Sequence, residues 1–235
     1  MVTANEDVGR EIYYLGDYEP NETNFLGRVL RESDVCLDVG ANIGYYTTLM
    51  ARIAAKGIIH AFEPDPLSYA LLNVNVCINR LRNVVFNQVA VGKESCKSPF
   101  VVASDHAFSS LANTGRKAVE QVINVSVTTL DEYVCATGIQ RVDFLKVDVE
   151  GAEGAVMDGA QQILSDPARR PRLIMLELFE PNHALFGYSI DRIVNSLRVQ
   201  NYEPFIVLNE QQLRFGKQHY NNYYNVFFSQ DVHAL

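Results

Sequence analysis

The chain has 235 residues, 48% of them hydrophobic and 20% charged, a balance that fits a folded globular domain and excludes a disordered or low-complexity segment. Its formal net charge of -8 argues against a nucleic-acid partner, because phosphate binding relies on clustered Lys and Arg. No apolar run approaches the roughly 20 residues that span a bilayer, and the first residues lack a secretory pattern, so a cytoplasmic protein without a membrane span is expected.

Residues 1–32 read as an N-terminal helical or lid segment of a single domain over residues 1–235. From residue 33 short apolar runs alternate with helical patterns, the signature of βαβ units and a largely parallel sheet. Strands are predicted at Val35–Val39, Gly57–Phe62 and Asn83–Val91, with helices over Ile43–Ala55 and Leu67–Ile78; Pro66 suits the first turn of the second helix. Residues 93–127 interrupt this rhythm. Two strand-like pieces, Phe100–Val102 and Val122–Val127, flank a polar loop, as expected of an insertion carrying a ligand-facing flap. A short helix is expected after Thr129, a strand at Val142–Asp148, a helix over Ala152–Leu164 and a strand at Leu173–Leu178. The remaining elements are a helix at Ile190–Val199 and strands at Pro204–Leu208 and Tyr223–Phe228. The basic cluster Arg169, Arg170 and Arg172 straddles a proline and reads as a solvated loop. Cys36, Cys77, Cys96 and Cys135 show no CxxC pairing, so neither a zinc site nor a disulfide framework is indicated.

The strongest local signal is Asp38-Val39-Gly40-Ala41-Asn42-Ile43-Gly44-Tyr45, where a strand ends and a helix begins. Glycines at such a turn let backbone approach a ligand, and the helix start offers free N–H groups. A tight turn needed only for packing would look similar. Asp38, however, ends an apolar strand, where a carboxylate is costly to bury unless something pairs with it. Glu63 ends the next strand, about 20 residues beyond the glycines, where an acid commonly accepts ribose hydroxyls. Acids at both places would repel a pyrophosphate and favour a cationic nucleoside, which points to S-adenosylmethionine rather than NAD.

Five segments in this order, DVGANIGYYTTLMA, AFEPDPLSYALLNVNV, VTTLDEYV, DFLKVDVEGAEGAVMDGA and LIMLELFE, closely resemble the FkbM-type methyltransferases. The resemblance implies a Rossmann-like class I methyltransferase fold: a seven-stranded, mostly parallel sheet of order 3-2-1-4-5-7-6 with helices on both faces. It also implies S-adenosyl-L-methionine as donor, S-adenosyl-L-homocysteine as product, and O-methylation of a hydroxyl on a sugar, glycan or polyketide-like small molecule. Carried over by position, Asp38, Gly40, Asn42 and Gly44 would surround the methionine part and Glu63 the ribose, with Pro64 and Asp65 nearby. Val89 and Ala90 would flank adenine, where an acid common in related enzymes is absent. Asp148 would face the methionine amine or the acceptor, and Glu19 would close the site from the N-terminal side.

Methyl transfer to a hydroxyl needs alignment and a route for the proton. Asp148, His183 and Glu177 are the catalytic candidates, with Glu150 and the insertion's His106 beside them. Period-two alternation places Lys146 and Asp148 on one side of their strand. Glu153 could equally serve only the positive end of the following helix. Asp148 and Glu177 could instead hold a divalent ion, but no third ligand is evident and no metal site is assigned. Phe108, Phe179, Phe186 and Tyr188 are expected around the acceptor. N-methylation, an NAD(P)-linked oxidoreductase and a non-catalytic nucleoside-binding scaffold remain open alternatives.

Overall fold

The computed structural model describes residues 7–231. Helices α1 (Asp7–Leu15) and α2 (Pro20–Val29) precede strand β1 (Val35–Val39), which leads through α3 (Tyr45–Ile53) to β2 (Ile58–Phe62) and through α4 (Pro66–Ile78) to β3 (Val84–Asn87). Strands β4 (Ala90–Val91), β5 (Cys96–Ala103) and β6 (Val119–Thr128) form a separate three-stranded sheet of order β4-β6-β5. The main path continues with α5 (Leu130–Thr137), β7 (Phe144–Val147), α6 (Glu153–Asp158), α7 (Gln161–Ser165) and β8 (Leu173–Leu178). It ends with α8 (Glu180–Leu185), α9 (Ile190–Val199), β9 (Glu203–Leu208), β10 (Gln211–Arg214) and β11 (Tyr224–Ser229).

The central sheet runs β10-β9-β11-β8-β7-β1-β2-β3. Strands β3, β2, β1, β7 and β8 are parallel, and β11 lies antiparallel between β8 and β9. Leaving out β10, this is the expected 3-2-1-4-5-7-6 order. The additional strand follows from a two-residue turn: Asn209 and Glu210 both have positive φ, 48° and 65°, and two such residues make a hairpin connection whose twist matches its strands.

Alternation along the strands sorts the core into two layers. Leu37, Val39, Leu145, Val147, Ile174 and Leu176 pack with Leu130, Val156 and the Ile190, Ile193, Val194 and Leu197 stripe of α9. Cys36, Phe144, Leu173 and Met175 face the other way, against Phe25 and Leu26 of α2 and Tyr46 and Met50 of α3.

Two expected elements are divided. The strand read over residues 83–91 breaks because Ala90 and Val91 leave the central sheet to pair with Val127 and Thr128. The helix read over residues 152–164 breaks at Gly159, where a Cβ would lie 2.1 Å from the Gly92 carbonyl oxygen. The Asp131 carboxylate then accepts the N–H groups of Gln162 and Ile163, each at 2.9 Å, and starts α7 afresh. Among the described residues no helix is long and apolar enough to cross a membrane.

Candidate active site

A cavity, open at its mouth, lies at the carboxyl ends of β1, β2 and β7, under the β5–β6 connection. This is where open α/β sheets place ligands. Gly40, Asn42, Glu63 and Pro64 line one side, Val89, Ala90, Phe100 and Leu111 another, and Asp148, Val149 and Glu150 a third; His106 comes from the flap.

The floor is built by close backbone approach. Gly40 has φ 77°, and a Cβ there would lie 1.8 Å from the carbonyl oxygen of Asp148. Only glycine lets the ends of β1 and β7 meet this way. The Gly40 and Ala41 N–H groups both donate to the Phe62 carbonyl at 3.0 Å, fastening the turn to β2. Asn42, at φ 49°, donates its N–H to Glu63 Oε2 at 2.8 Å, and the Asp65 N–H donates to Glu63 Oε1 at 2.8 Å. Glu63 is thus oriented by two backbone donors and retains lone pairs for a ligand. Burial pushes its carboxyl up to about 8 despite those hydrogen bonds.

The flap is fastened over the cavity at three points. Ser110 Oγ donates to the carbonyls of Val149 and Glu150 at 3.1 and 3.2 Å. His106 Nδ1 lies 2.7 Å from Asp65 Oδ2. Arg116 donates to Glu150 Oε2 at 2.5 Å, its guanidinium between the rings of Phe108 and Tyr223 at 4.0 and 4.4 Å.

Beyond Asp148 the carboxylates gather. Oxygens of Asp148, Glu150 and Glu177 come within 4.8 Å of one another, a hard-donor set of the kind a divalent ion accepts. Cations of the chain already engage two of them: Lys146 Nζ is 3.1 Å from Asp148, and Arg116 pairs with Glu150. Burial, followed by the charges of Asp148, Glu150 and Glu153, drives the Glu177 carboxyl well above the usual carboxylate range. Glu19 accepts from the Tyr46 hydroxyl, and burial first, then the nearby Asp148 charge, raises its carboxyl as well.

Other sequence candidates fall elsewhere. Asp38 is fully buried and does not line the cavity. It sits opposite Lys146 in the β1–β7 register, on the α3 side of the sheet, where it accepts from Thr47 Oγ1 at 2.5 Å and lies 3.8 Å from Lys146 Nζ. Burial raises its carboxyl, and the partners it has come from β7 and α3, invisible in local sequence. Burial works against the Lys146 cation, but Asp148 and Asp38 raise its pKa overall. Gly44 is also displaced: it opens α3 at φ 86°, and a Cβ there would press on Leu72 at 2.5 Å, so it serves the packing of α3 on α4. His183 is fully buried, its Nδ1 3.1 Å from the Gly151 carbonyl and 3.3 Å from Glu153, and it does not reach the cavity. Phe179 stacks on Tyr223 near the acidic cluster, whereas the Tyr188 hydroxyl turns away to Asp158. Arg116, Ser110 and Tyr223 were not legible as site residues, because nothing near them in sequence marks the strand end they close over.

Comparison with known proteins follows the same lines. A family model described as the methyltransferase FkbM domain matches residues 38–204. The 31-O-demethyl-FK506 methyltransferase FkbM of Streptomyces tacrolimicus is 31% identical over 164 residues, covering 57% of this chain and 62% of that protein. The 2-O-methyltransferase NoeI of Sinorhizobium fredii is 25% identical over 146 residues, covering 56% and 59%. The crystal structure of a methyltransferase FkbM from Methylobacillus flagellatus superposes with a TM-score of 0.56 at 16% identity, covering 92% of this chain and 49% of that one. The chain therefore spans about three fifths of these curated relatives and half of the solved one, and with the domain model covering most of its length it belongs to the FkbM methyltransferase family.

Proposed function

We propose that this protein transfers a methyl group from S-adenosyl-L-methionine to a hydroxyl oxygen of a small molecule, a sugar, glycan or polyketide-like compound. One observation carries the reading: among the described residues the cavity is lined by Glu63, Asp148 and Glu150 and by no Lys or Arg. Such a lining offers carboxyl oxygens to ribose hydroxyls and an amine, and no cation to hold the pyrophosphate of a nicotinamide dinucleotide. The residues present fit the donor. Glu63 would accept from the ribose hydroxyls, Val89, Ala90 and Leu111 would flank the adenine, and Asp148 would face the amine.

S-adenosyl-L-methionine supplies a methyl carbon made electrophilic by the adjacent positive sulfur. The chain's part is alignment and proton removal. The hydroxyl proton released on methyl transfer would pass to a carboxylate at the Asp148–Glu177 cluster. Asp148, which lines the cavity where Glu177 does not, is the nearer acceptor of the two. The names of the two relatives, a 31-O-demethyl-FK506 methyltransferase and a 2-O-methyltransferase, support oxygen as the acceptor atom.

Calorimetry with S-adenosyl-L-homocysteine tests the donor site. Saturable binding by the wild type, lost at least about tenfold in Glu63→Ala, is the expected outcome; binding of NADH in its place would overturn the reading. Incubation with labelled donor and small-molecule extracts, followed by mass spectrometry, then identifies the atom methylated.

A further inference from the structure

The segment that follows β7 is unusual in its backbone. Glu150 has φ 56° and Gly151 φ 104°, two successive residues in left-handed geometry one residue beyond Asp148. A non-glycine residue there costs free energy and persists only where its surroundings over-determine it. Those surroundings are side chains from three separate elements. Glu153 of α6 accepts the Val149 N–H at 2.8 Å. Ser110 of the flap donates to the Val149 and Glu150 carbonyls. His183 of α8 lies 3.1 Å from the Gly151 carbonyl, and its neighbour Asn182 donates to Glu150 Oε2 at 3.2 Å. No room is left for adjustment, since a Cβ on Gly151 would lie 2.8 Å from the Asn182 carbonyl oxygen.

Glu153 and His183 are the two ionisable members of this set that never reach the cavity. Both are fully buried, and Glu153 Oε2 lies 3.3 Å from His183 Nδ1. A carbonyl can only accept, so Nδ1 must carry the imidazole proton, which it directs to Gly151, while Glu153 Oε2 stands beside the ring without a hydrogen bond of its own. Among the described residues His183 Nε2 has no hydrogen-bond partner either, which suits the bare nitrogen of a neutral ring and not a second N–H.

We infer that the Glu153–His183 pair is a positioning device: it clamps the two ends of the Val149–Gly151 turn and so aims Asp148 and Glu150 into the donor cavity. Glu153 holds the entering N–H and His183 the leaving carbonyl, and the two side chains pack 3.3 Å apart. Neither touches the ligand. The inference rests on the donor reading above, because the cavity it shapes is the one assigned to S-adenosyl-L-methionine.

The test compares His183→Leu, which removes the donor to Gly151, with His183→Asn, whose amide nitrogen can take the place of Nδ1. Affinity for S-adenosyl-L-homocysteine is measured by calorimetry on the folded protein, beside the melting temperature. His183→Leu is expected to weaken binding about tenfold, and His183→Asn to restore most of it. Equal affinity in wild type and His183→Leu would overturn the inference while leaving the donor reading intact; absence of binding by the wild type would overturn the donor reading itself. A readout on the unmodified protein guards against a variant that does not fold. Nitrogen-15 spectra of the imidazoles should show His183 protonated at Nδ1 and bare at Nε2, and the opposite tautomer would overturn the clamp.

Discussion

Gly40 illustrates how one missing methyl group organises a site. The carbonyl of Asp148 occupies the space where its Cβ would stand, and the same approach brings the acid at the end of β7 beside the Glu63 loop. Gly138 offers a control: it has a similar φ of 69° but open space around it. Gly138→Ala is expected to cost about 1–2 kcal/mol, the ordinary penalty for a left-handed L-residue. Gly40→Ala must displace backbone as well and is expected to cost about 4 kcal/mol or more. Urea unfolding of the two variants checks this, and equal losses would show that β1 and β7 can part without penalty. Residue by residue, the candidate site is legible where its chemistry is local: Gly40, Asn42, Glu63 and Pro64 lie within two turns of the sequence and line the cavity. Asp38 lies off the cavity, and its partners, Lys146 and Thr47, come from β7 and α3, where charge reasoning on one strand cannot see them. His183 lies off it for a related reason: a histidine just after a strand end looks available until α8 buries it.

Among elements, the β5–β6 flap is the part most able to move. It belongs to a three-stranded sheet separate from the central one, and its fastenings to the cavity are polar. Arg116→Ala removes the cation from Glu150, whose side chain is only 7% exposed, along with two ring contacts, while leaving both main core layers untouched. Hydrogen exchange across residues 104–118 is therefore expected to speed up about tenfold or more, with little change in the central strands. Exchange that rises uniformly, or not at all, would show that the flap is held by something other than Arg116. The same contrast explains which elements could be read beforehand. Helix α9 was found at its observed bounds because Ile190, Ile193, Val194 and Leu197 repeat at helical spacing behind the cap Ser189. Helix α8 was missed: it is six residues long and owes its burial to contacts with the turn after β7. The break between β3 and β4 depends on pairing with a strand nearly 40 residues later, which no local pattern reports.

At the scale of the whole molecule, buried acids set the response to pH. Burial holds Glu63 and Glu153 up to about 8 and Glu150 up to about 7, against 4.5 for an ordinary glutamate. Over that interval the folded chain keeps protons that the unfolded chain has released, so stability declines as pH rises. The ligand-free protein is expected to melt roughly 5–10 °C lower at pH 8.5 than at pH 5.5, as read by calorimetric scans. A melting temperature that climbs over this range would mean that the three acids are already ionised and compensated at pH 5.5. The sheet order itself was accessible from the alternation of apolar runs and helices, since parallel neighbours need crossovers and few topologies satisfy them. The edge hairpin was not, because it turns on Glu210 adopting a conformation its residue type rarely shows.

Helix α2 has its partners at the far end of the chain. Phe25 packs on Phe205 and Phe227, Arg28 pairs with Glu210, and the Asn209 N–H donates to Asn21. During synthesis these contacts wait for β9 and β11, and until then α2 has only its packing on β1, α3, β7 and β8. A nascent chain halted before β9 would carry Phe25 and the flank of β8 bare to water, a sticky intermediate with an unfinished sheet. Fragments that stop before β9 should accordingly lean on chaperones, and deletion of β9 to β11 should loosen α2 first.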